Sequence, residues 1–210
     1  MGKTIVSRYA ETKLPTIHGL LKMVVYQNNL NNNEDIAIIN GDVRGAEAVP
    51  VRIHSECITS EVFGSLKCDC NDQLNYALDY VANAPRGIVL YLRQEGRGIG
   101  LGNKIRAYSL QEKGLDTVDA NRHLGFDDDL RDYSVANEIL KELGVKSVEL
   151  FTNNPRKIYA LENGGIHVVK RRSIQMKPTT FSADYLITKA RKSGHLIDIG
   201  LIERESIKTA

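Results

Sequence analysis

Alternating apolar and polar residues dominate the first quarter of the chain and predict β-strands. Residues 17–26 and 35–39 are rich in β-branched and apolar side chains and flank an asparagine-rich connection, a pattern that predicts a hairpin. Residues 49–54 then alternate between apolar and polar types, which is the period of a half-buried strand. This strand is expected to present Arg52 and His54 on one face.

From Asp72 onward the apolar period becomes that of helices, and short apolar runs separate them. Helices are predicted at 72–84, 103–113, 134–143, 155–163 and 183–192, and strands at 87–92, 147–151 and 166–170. The polar residues 116–132 are expected to be irregular. Strands that alternate with helices predict an α/β fold with α+β character at the N-terminus, in which helices cover both faces of a mixed β-sheet.

No repeat or linker divides this pattern, so a single domain is expected over residues 1–210. Its N-terminal part, to about residue 56, is expected to be β-rich, and a C-terminal tail is expected from about residue 197. The formal net charge of +2 is too near balance for a general nucleic-acid or membrane surface, so neither partner is expected. The chain lacks a signal-like start and a long apolar run, which favours a cytoplasmic, reducing location.

All the cysteines of the chain, Cys57, Cys68 and Cys70, fall within one short stretch. Their odd number excludes complete disulfide pairing and favours metal binding, and thiolates favour zinc over magnesium or calcium. Three thiolates with one water would form a catalytic zinc site, whereas His54 as a fourth ligand would close a structural site. Spacing alone does not decide between these sites and three free buried thiols.

Two polar clusters follow predicted strands, at 93–97 and 152–157, where α/β sheets commonly bind ligands. Several cationic residues could converge on a polyphosphate, namely Arg52, Arg93, Arg97, Arg131, Arg156 and Lys157. The glycines that follow Glu95 would let backbone amides approach a ligand, although such a loop is also typical of a mobile turn. Taken singly, arginines and lysines are more typical of a solvated surface.

An acidic run at 127–132 contains one arginine, Arg131. A carboxylate of this run could act as a general base and the arginine could contact phosphate, whereas the alternative is a solvated loop or a helix cap. Tyr108 is either a half-buried core side chain or a proton donor.

Taken together, these segments resemble the GTP cyclohydrolase II family, which acts at the start of riboflavin synthesis. The matching motifs are Arg52-Ile-His-Ser-Glu-Cys57, Ser65-Leu-Lys-Cys-Asp-Cys70, Arg93-Gln-Glu-Gly-Arg-Gly-Ile-Gly100, Asn103-Lys-Ile-Arg-Ala-Tyr108, Leu124-Gly-Phe126 and Thr152-Asn-Asn-Pro155. The resemblance covers roughly residues 7–196, and the local departures at 58–61 and Asn71 touch no expected ligand. The family often carries a dihydroxybutanone phosphate synthase domain ahead of this one, which we expect to be absent here because too few residues precede Arg52.

The resemblance implies a role for each matched residue of one catalytic domain. The ligands of one catalytic Zn²⁺ per subunit are expected to be Cys57, Cys68 and Cys70. Asp129 matches the proton acceptor, and Tyr108 matches the tyrosine associated with full ring hydrolysis. Arg131 matches the proposed nucleophile that attacks phosphate, and its alternative role is to stabilise charge. The expected GTP contacts are Arg52, Ile53, His54, Ser55, Glu56, Gln73, Glu95, Gly96, Arg97, Thr117, Thr152 and Lys157.

The implied reaction hydrolyses GTP twice at C8 and releases formate and pyrophosphate. Its product is 2,5-diamino-6-(5-phosphoribosylamino)pyrimidin-4(3H)-one, the first intermediate of riboflavin biosynthesis. Mg²⁺ is expected with the substrate phosphates, and a homodimer is expected because the family is usually dimeric. The alternatives are a paralogue that stops at the formamidopyrimidine or uses another nucleotide or nucleobase, and a zinc-stabilised nucleotide- or RNA-binding module. Near-neutral charge and the lack of a series of stacking aromatic residues disfavour that module.

Overall fold

The computed structural model describes residues 4–31 and 33–208, with side chains as far as Arg204. The strands are β1 (Val6–Thr16), β2 (Gly19–Asn28), β3 (Glu34–Asn40), β4 (Val49–Ser55), β5 (Gly87–Leu92), β6 (Ser147–Phe151) and β7 (His167–Arg172). The helices are α1 (Ile58–Glu61), α2 (Cys70–Asn83), α3 (Gly100–Gln111), α4 (Thr117–His123), α5 (Ser134–Glu142), α6 (Pro155–Asn163), α7 (Ala183–Ser193) and α8 (Ile199–Lys208), and Glu95–Gly98 forms a 3₁₀ helix.

The chain divides into two compact units. The first comprises Met1–Ser55, Leu74–Arg93 and Asp132–Ile174, and the second comprises Glu56–Gln73, Gln94–Arg131 and Gln175–Ala210. All seven strands of the described sheet belong to the first unit, whereas the regular structure described in the second unit is helical.

The first unit is built on a mixed sheet with the strand order β1-β2-β3-β5-β4-β6-β7. The pairs β1–β2, β2–β3 and β3–β5 are antiparallel, and β5–β4, β4–β6 and β6–β7 are parallel. The predicted hairpin is therefore confirmed as β2 and β3. The edge strand β1 was not predicted, because its mostly exposed side chains include charged residues at several positions and give no apolar period.

Both faces of the sheet are covered by helices. Ile88 and Leu90 of β5 belong to the large apolar core, to which α5 and α6 also contribute. Between them, Val89 points to the opposite face and packs with Ala77 and Val81 of α2. The predicted α/β architecture is thus confirmed.

The prediction that β4 is half-buried is wrong. Arg52 and His54 share one face, as expected, but their exposed fractions are only 6% and 1%. The reason is that β4 is a central strand, which pairs with β5 on one side and β6 on the other. When the polar face of a central strand is also covered, the polar side chains on that face need buried hydrogen-bond partners.

In the second unit, α3 and α4 both differ from the prediction. Helix α3 begins at Gly100, so Asn103 lies within the helix and does not cap it. The side-chain amide of Asn103 donates to the Ile99 carbonyl at 3.0 Å. The segment predicted to be irregular contains α4, which begins where Asp116 accepts hydrogen bonds from the next turn, including one of 2.8 Å from the amide of Val118.

Residues Ile199–Lys208 form α8, and its Ile202 side chain is fully buried. The segment in which a tail was expected therefore contains a helix that packs through an apolar residue. In the described part of the chain, every helix is too short or too polar to cross a lipid bilayer.

Candidate functional site

The three cysteines lie together in the second unit, as the metal prediction required. Cys57 immediately precedes α1, and Cys70 is the first residue of α2. The three Sγ atoms lie within 4.8 Å of one another, and those of Cys57 and Cys68 are 3.7 Å apart. Two thiolates on a tetrahedral zinc ion, with Zn–S bonds of about 2.3 Å, would be separated by about 3.8 Å. The sulfur atoms therefore fit a zinc ion, and all three cysteines are free.

The electrostatics of the cysteine trio favour a bound cation. Hydrogen bonds from the Cys68 and Cys70 thiols and the nearby Lys104 ammonium lower the pKa of Cys57 well below its usual range. The pKa values of the other two thiols are raised, chiefly because Cys57 is already the favoured thiolate. A divalent cation would stabilise all three thiolates, because its charge favours their ionised form.

Lys104 is a buried cation that the sequence analysis did not identify. Its Nζ donates to Cys57 Sγ at 3.1 Å, to Thr59 Oγ1 at 2.8 Å and to Glu95 Oε1 at 2.8 Å. Burial lowers the pKa of Lys104, but the hydrogen bond to Glu95 and the charge of Cys57 outweigh that effect and raise it above its usual range. The ammonium therefore stays charged beside the thiols.

Glu95, a predicted GTP contact, is 8% exposed and already engaged within the second unit. Besides Lys104, its Oε1 accepts from the Gly96 amide at 2.8 Å, and its Oε2 accepts from the Ile58 amide at 2.7 Å. A carboxylate offers about four acceptor positions, so these three bonds leave little capacity for a further donor.

Gly96 and Arg97, also predicted GTP contacts, adopt left-handed backbone conformations with φ of 63° and 61°. For Arg97 this conformation costs about 1–2 kcal/mol, because its Cβ approaches the following carbonyl. Hydrogen bonds hold it there: the Leu130 amide donates to the Arg97 carbonyl at 3.0 Å, and Arg97 Nη1 donates to the Asp128 carbonyl at 3.3 Å. Strain that is maintained in this way is typical of functional loops.

Asp129 and Arg131, two predicted catalytic residues, form a bidentate ion pair. Arg131 Nε and Nη2 donate to the two carboxylate oxygens of Asp129, each at 2.8 Å. The exposed fractions of the two side chains are only 13% for Arg131 and 11% for Asp129. These members of the acidic run are therefore not simply solvated.

Tyr108 lies on α3 near two ammonium groups. Lys67 Nζ is 4.8 Å and Lys104 Nζ 5.8 Å from the centre of its ring. Burial raises the pKa of Tyr108 well above its usual range, so its hydroxyl is a weaker acid than that of an exposed tyrosine. The side chain is thus half-buried, as one interpretation expected, and its role as a proton donor stays a prediction.

The remaining predicted residues of the second unit are Gln73, Thr117 and Glu56. Gln73 donates to Asp69 at 2.5 Å, and Asp69 also pairs at 3.5 Å with Lys189, a residue of α7 that the sequence analysis did not identify. Thr117 is the first residue of α4, and Glu56, directly before the first cysteine, is half-buried.

The first unit brings together the predicted residues of β4 and of the segment after β6. Arg52 Nη1 donates to the Phe151 carbonyl at 3.0 Å, and the buried Lys157 Nζ donates to the Ile53 carbonyl at 2.7 Å. These contacts lie near the carboxyl ends of two parallel neighbouring strands, the usual ligand-binding edge of an α/β sheet.

The other predicted residues of this unit lie on the same two segments. His54 stacks on Tyr91, with ring centroids 5.7 Å apart, and Ser55 ends β4. Thr152 is buried after β6, where its Oγ1 accepts from the Asn154 amide at 3.0 Å.

A trio of thiols that could hold a metal ion, accompanied by buried acidic and basic side chains and a half-buried phenol in an α/β protein, defines a candidate metalloenzyme. The family model for GTP cyclohydrolase II matches residues 7–173, and the chain belongs to this family.

Curated relatives are similar over almost the whole chain. The riboflavin biosynthesis protein RibBA of Bacillus cereus is 50% identical over 197 residues, which cover 94% of this chain and 50% of that protein. The RibBA protein of Bacillus mycoides is likewise 50% identical, with the same coverage. This chain thus spans about half the length of these relatives. The solved structure of a two-domain 3,4-dihydroxy-2-butanone 4-phosphate synthase from A. baumannii shares 16% sequence identity with this chain, with a TM-score of 0.47. The match covers 82% of this chain and 40% of that one.

Proposed function

We propose that this chain hydrolyses GTP, opens its imidazole ring at C8 and releases formate and pyrophosphate. The product would be 2,5-diamino-6-(5-phosphoribosylamino)pyrimidin-4(3H)-one, the first intermediate of riboflavin biosynthesis. The observation that carries the proposal is the trio of Cys57, Cys68 and Cys70, whose sulfur atoms lie within 4.8 Å of one another in a chain of the GTP cyclohydrolase II family.

The proposed cofactor is one Zn²⁺ ion per subunit, held by the three thiolates. When bound, such an ion acts as a Lewis acid and activates a water molecule for hydrolysis. The protein contributes the anionic ligands and the buried Lys104 ammonium, 3.1 Å from Cys57 Sγ, which offsets part of their charge. Three thiolates and no fourth protein ligand would leave one coordination position for water.

Proton transfer is assigned to Tyr108 and Asp129. The proposed part of Tyr108 is to donate a hydrogen bond, or a proton to a strongly basic atom, as the ring opens, since burial raises its pKa and keeps its hydroxyl protonated. Asp129 is the proposed proton acceptor. Its pairing with Arg131 at 2.8 Å fixes the position of its carboxylate oxygens.

Arg131 is proposed to act on the phosphate chemistry. Because arginine remains charged at ordinary pH, we assign it the stabilisation of charge that develops as pyrophosphate leaves, with covalent attack on phosphate as the alternative role. Mg²⁺ is proposed to accompany the substrate phosphates, since it binds through oxygen ligands and seldom requires a dedicated protein cage.

The proposed GTP contacts follow the family match residue by residue. In the first unit they are Arg52, Ile53, His54, Ser55, Thr152 and Lys157, and in the second unit Glu56, Gln73, Glu95, Gly96, Arg97 and Thr117. The buried cations Arg52 and Lys157 support phosphate binding, and the strained loop at Arg97 supports a functional role for that segment. Each chain is proposed to form one catalytic domain, and two chains are proposed to form a homodimer. The free thiols support a reducing, cytoplasmic setting.

The rival within the same class is a paralogue that stops after the first hydrolysis and keeps the formyl group. Formate release from GTP by the zinc-loaded protein, compared with the Tyr108→Phe variant, tests the proposal. We expect formate from the unsubstituted chain and a large loss in the variant, because the phenolic proton donor is removed. GTP consumption without formate by the unsubstituted chain would establish the rival, and formate release unaffected by Tyr108→Phe would remove this residue from the mechanism.

A further inference from the structure

We infer that Lys104 is a positioning residue of the metal centre, where its ammonium fixes the Cys57 thiolate and ties it to Glu95. The inference rests on the proposed function, because it concerns the zinc ligands. It adds a residue that lies outside the set matched to the family's metal and substrate contacts.

The first argument is the number of contacts. An ammonium group has three N–H donors, and Lys104 Nζ has three acceptors at hydrogen-bonding distance, namely Cys57 Sγ, Thr59 Oγ1 and Glu95 Oε1. Its donors are therefore matched within the second unit. A lysine used in this way holds protein groups in place and has no donor left for a substrate phosphate.

The second argument is that the contacts form a closed ring. Lys104 links the Cys57 thiol to Oε1 of Glu95, and Oε2 of Glu95 accepts from the amide of Ile58, the residue next to Cys57, at 2.7 Å. The side chain and the following backbone of this metal ligand are thus both held by the same pair of charged residues. Such partners of metal ligands control the orientation and basicity of the ligand.

The third argument is charge. Three thiolates and one divalent ion carry a net negative charge, and a buried anionic site is costly unless a cation lies nearby. Lys104 is 8% exposed, and Cys57 is the ligand within reach of its Nζ. A hydrogen bond to this sulfur would also withdraw electron density from it and so modify the metal–sulfur bond.

The test compares metal binding by the unsubstituted protein, Lys104→Met and Arg106→Met in the absence of GTP. Lys104→Met keeps the apolar stem and removes the ammonium. Arg106→Met removes one charge from the exposed face of the same helix and serves as the control. Zn²⁺ affinity is measured by competition with a chromophoric chelator, and Co²⁺ replaces zinc for absorption spectra because zinc itself is d¹⁰.

We expect Lys104→Met to bind Zn²⁺ about 10- to 100-fold more weakly, the usual effect of losing a partner of a metal ligand. Its sulfur-to-cobalt charge-transfer band should move to longer wavelength, whereas Arg106→Met should match the unsubstituted protein. A purely structural role would lower the melting temperature without moving the band. If Lys104→Met does not fold, Lys104→Gln is measured instead. Affinity within about twofold of the unsubstituted protein together with an unmoved band would overturn the inference.

These measurements are independent of catalysis. If the unsubstituted protein binds zinc but leaves GTP intact, the proposed function fails while the comparison of the variants still decides the role of Lys104.

Discussion

Replacing Cys57 by serine should separate the two halves of the proposed reaction. The substitution removes one of three thiolates and the sulfur that accepts from Lys104 at 3.1 Å. The hydrogen bonds of Lys157 and Thr152, proposed triphosphate contacts, are made within the first unit and involve none of the cysteines. We therefore expect formate production to be lost while some pyrophosphate release from GTP remains.

The expected magnitude follows from the ligand count. Zinc sites with four protein ligands have binding free energies of about 10–16 kcal/mol, which is about 2.5–4 kcal/mol per ligand. Losing one of three thiolates should thus weaken Zn²⁺ binding by about 10²- to 10³-fold, and at limiting zinc the formate rate should fall by a similar factor. The loss should be partly recovered at high zinc concentration, since the two remaining thiolates still bind the ion.

The assay measures formate and pyrophosphate separately for Cys57→Ser and Arg131→Ala. Arg131→Ala should keep zinc affinity, because its ion pair is made with Asp129 at 2.8 Å and not with a thiol, but it should release less pyrophosphate. If phosphate cleavage comes first, this variant should lose both products. A folded Cys57→Ser protein that releases neither product, even with excess zinc, would refute the division between metal and arginine chemistry.

Four further predictions concern the base, the metal and the ion pair of Lys189 with Asp69. Inosine triphosphate lacks the exocyclic amine of guanine, and its kcat/KM should be roughly 5- to 150-fold lower than that of GTP, which corresponds to about 1–3 kcal/mol; equal values for the two nucleotides would contradict guanine recognition by Glu95 or a neighbouring polar group of the loop at 93–97. Chelation of zinc should abolish formate release but preserve most of the circular dichroism, because the core of the first unit is apolar; wholesale unfolding would indicate a structural site. Acidification should likewise release the metal, since its thiolate ligands must be deprotonated. Lys189→Met should lower the free energy of unfolding by about 1–3 kcal/mol by leaving the buried Asp69 without this partner, and an unchanged urea midpoint would disprove that.

The sequence predicted the elements whose signals are local. The strands β5 and β6 have the predicted bounds because each is a short apolar run, and α6 begins at Pro155, which is favoured at the first helical position. That the three cysteines lie together was also predictable, since all of them fall within one short stretch, but their spacing left metal binding and three free thiols as alternatives. For these features the chemistry of adjacent residues is sufficient.

Features that depend on distant residues were not predictable. Strand β1 owes its conformation to backbone pairing with β2, from Val6 with Asn28 to Thr16 with Gly19, and not to an apolar pattern of its own. Lys104 resembles any helical surface lysine in the sequence, and its buried position becomes evident only when Cys57 and Glu95 lie beside it. The burial of Arg52 likewise follows from the central place of β4 in the sheet.

The most direct test of the proposed function is the mass of the nucleotide product formed from GTP by the zinc-loaded protein in the presence of Mg²⁺. We predict the pyrimidinone monophosphate, without the C8 carbon, together with equal amounts of formate and pyrophosphate. The metal-free protein should leave the imidazole ring closed. A product that keeps the formyl group, or GTP recovered intact from the zinc-loaded protein, would contradict the proposal.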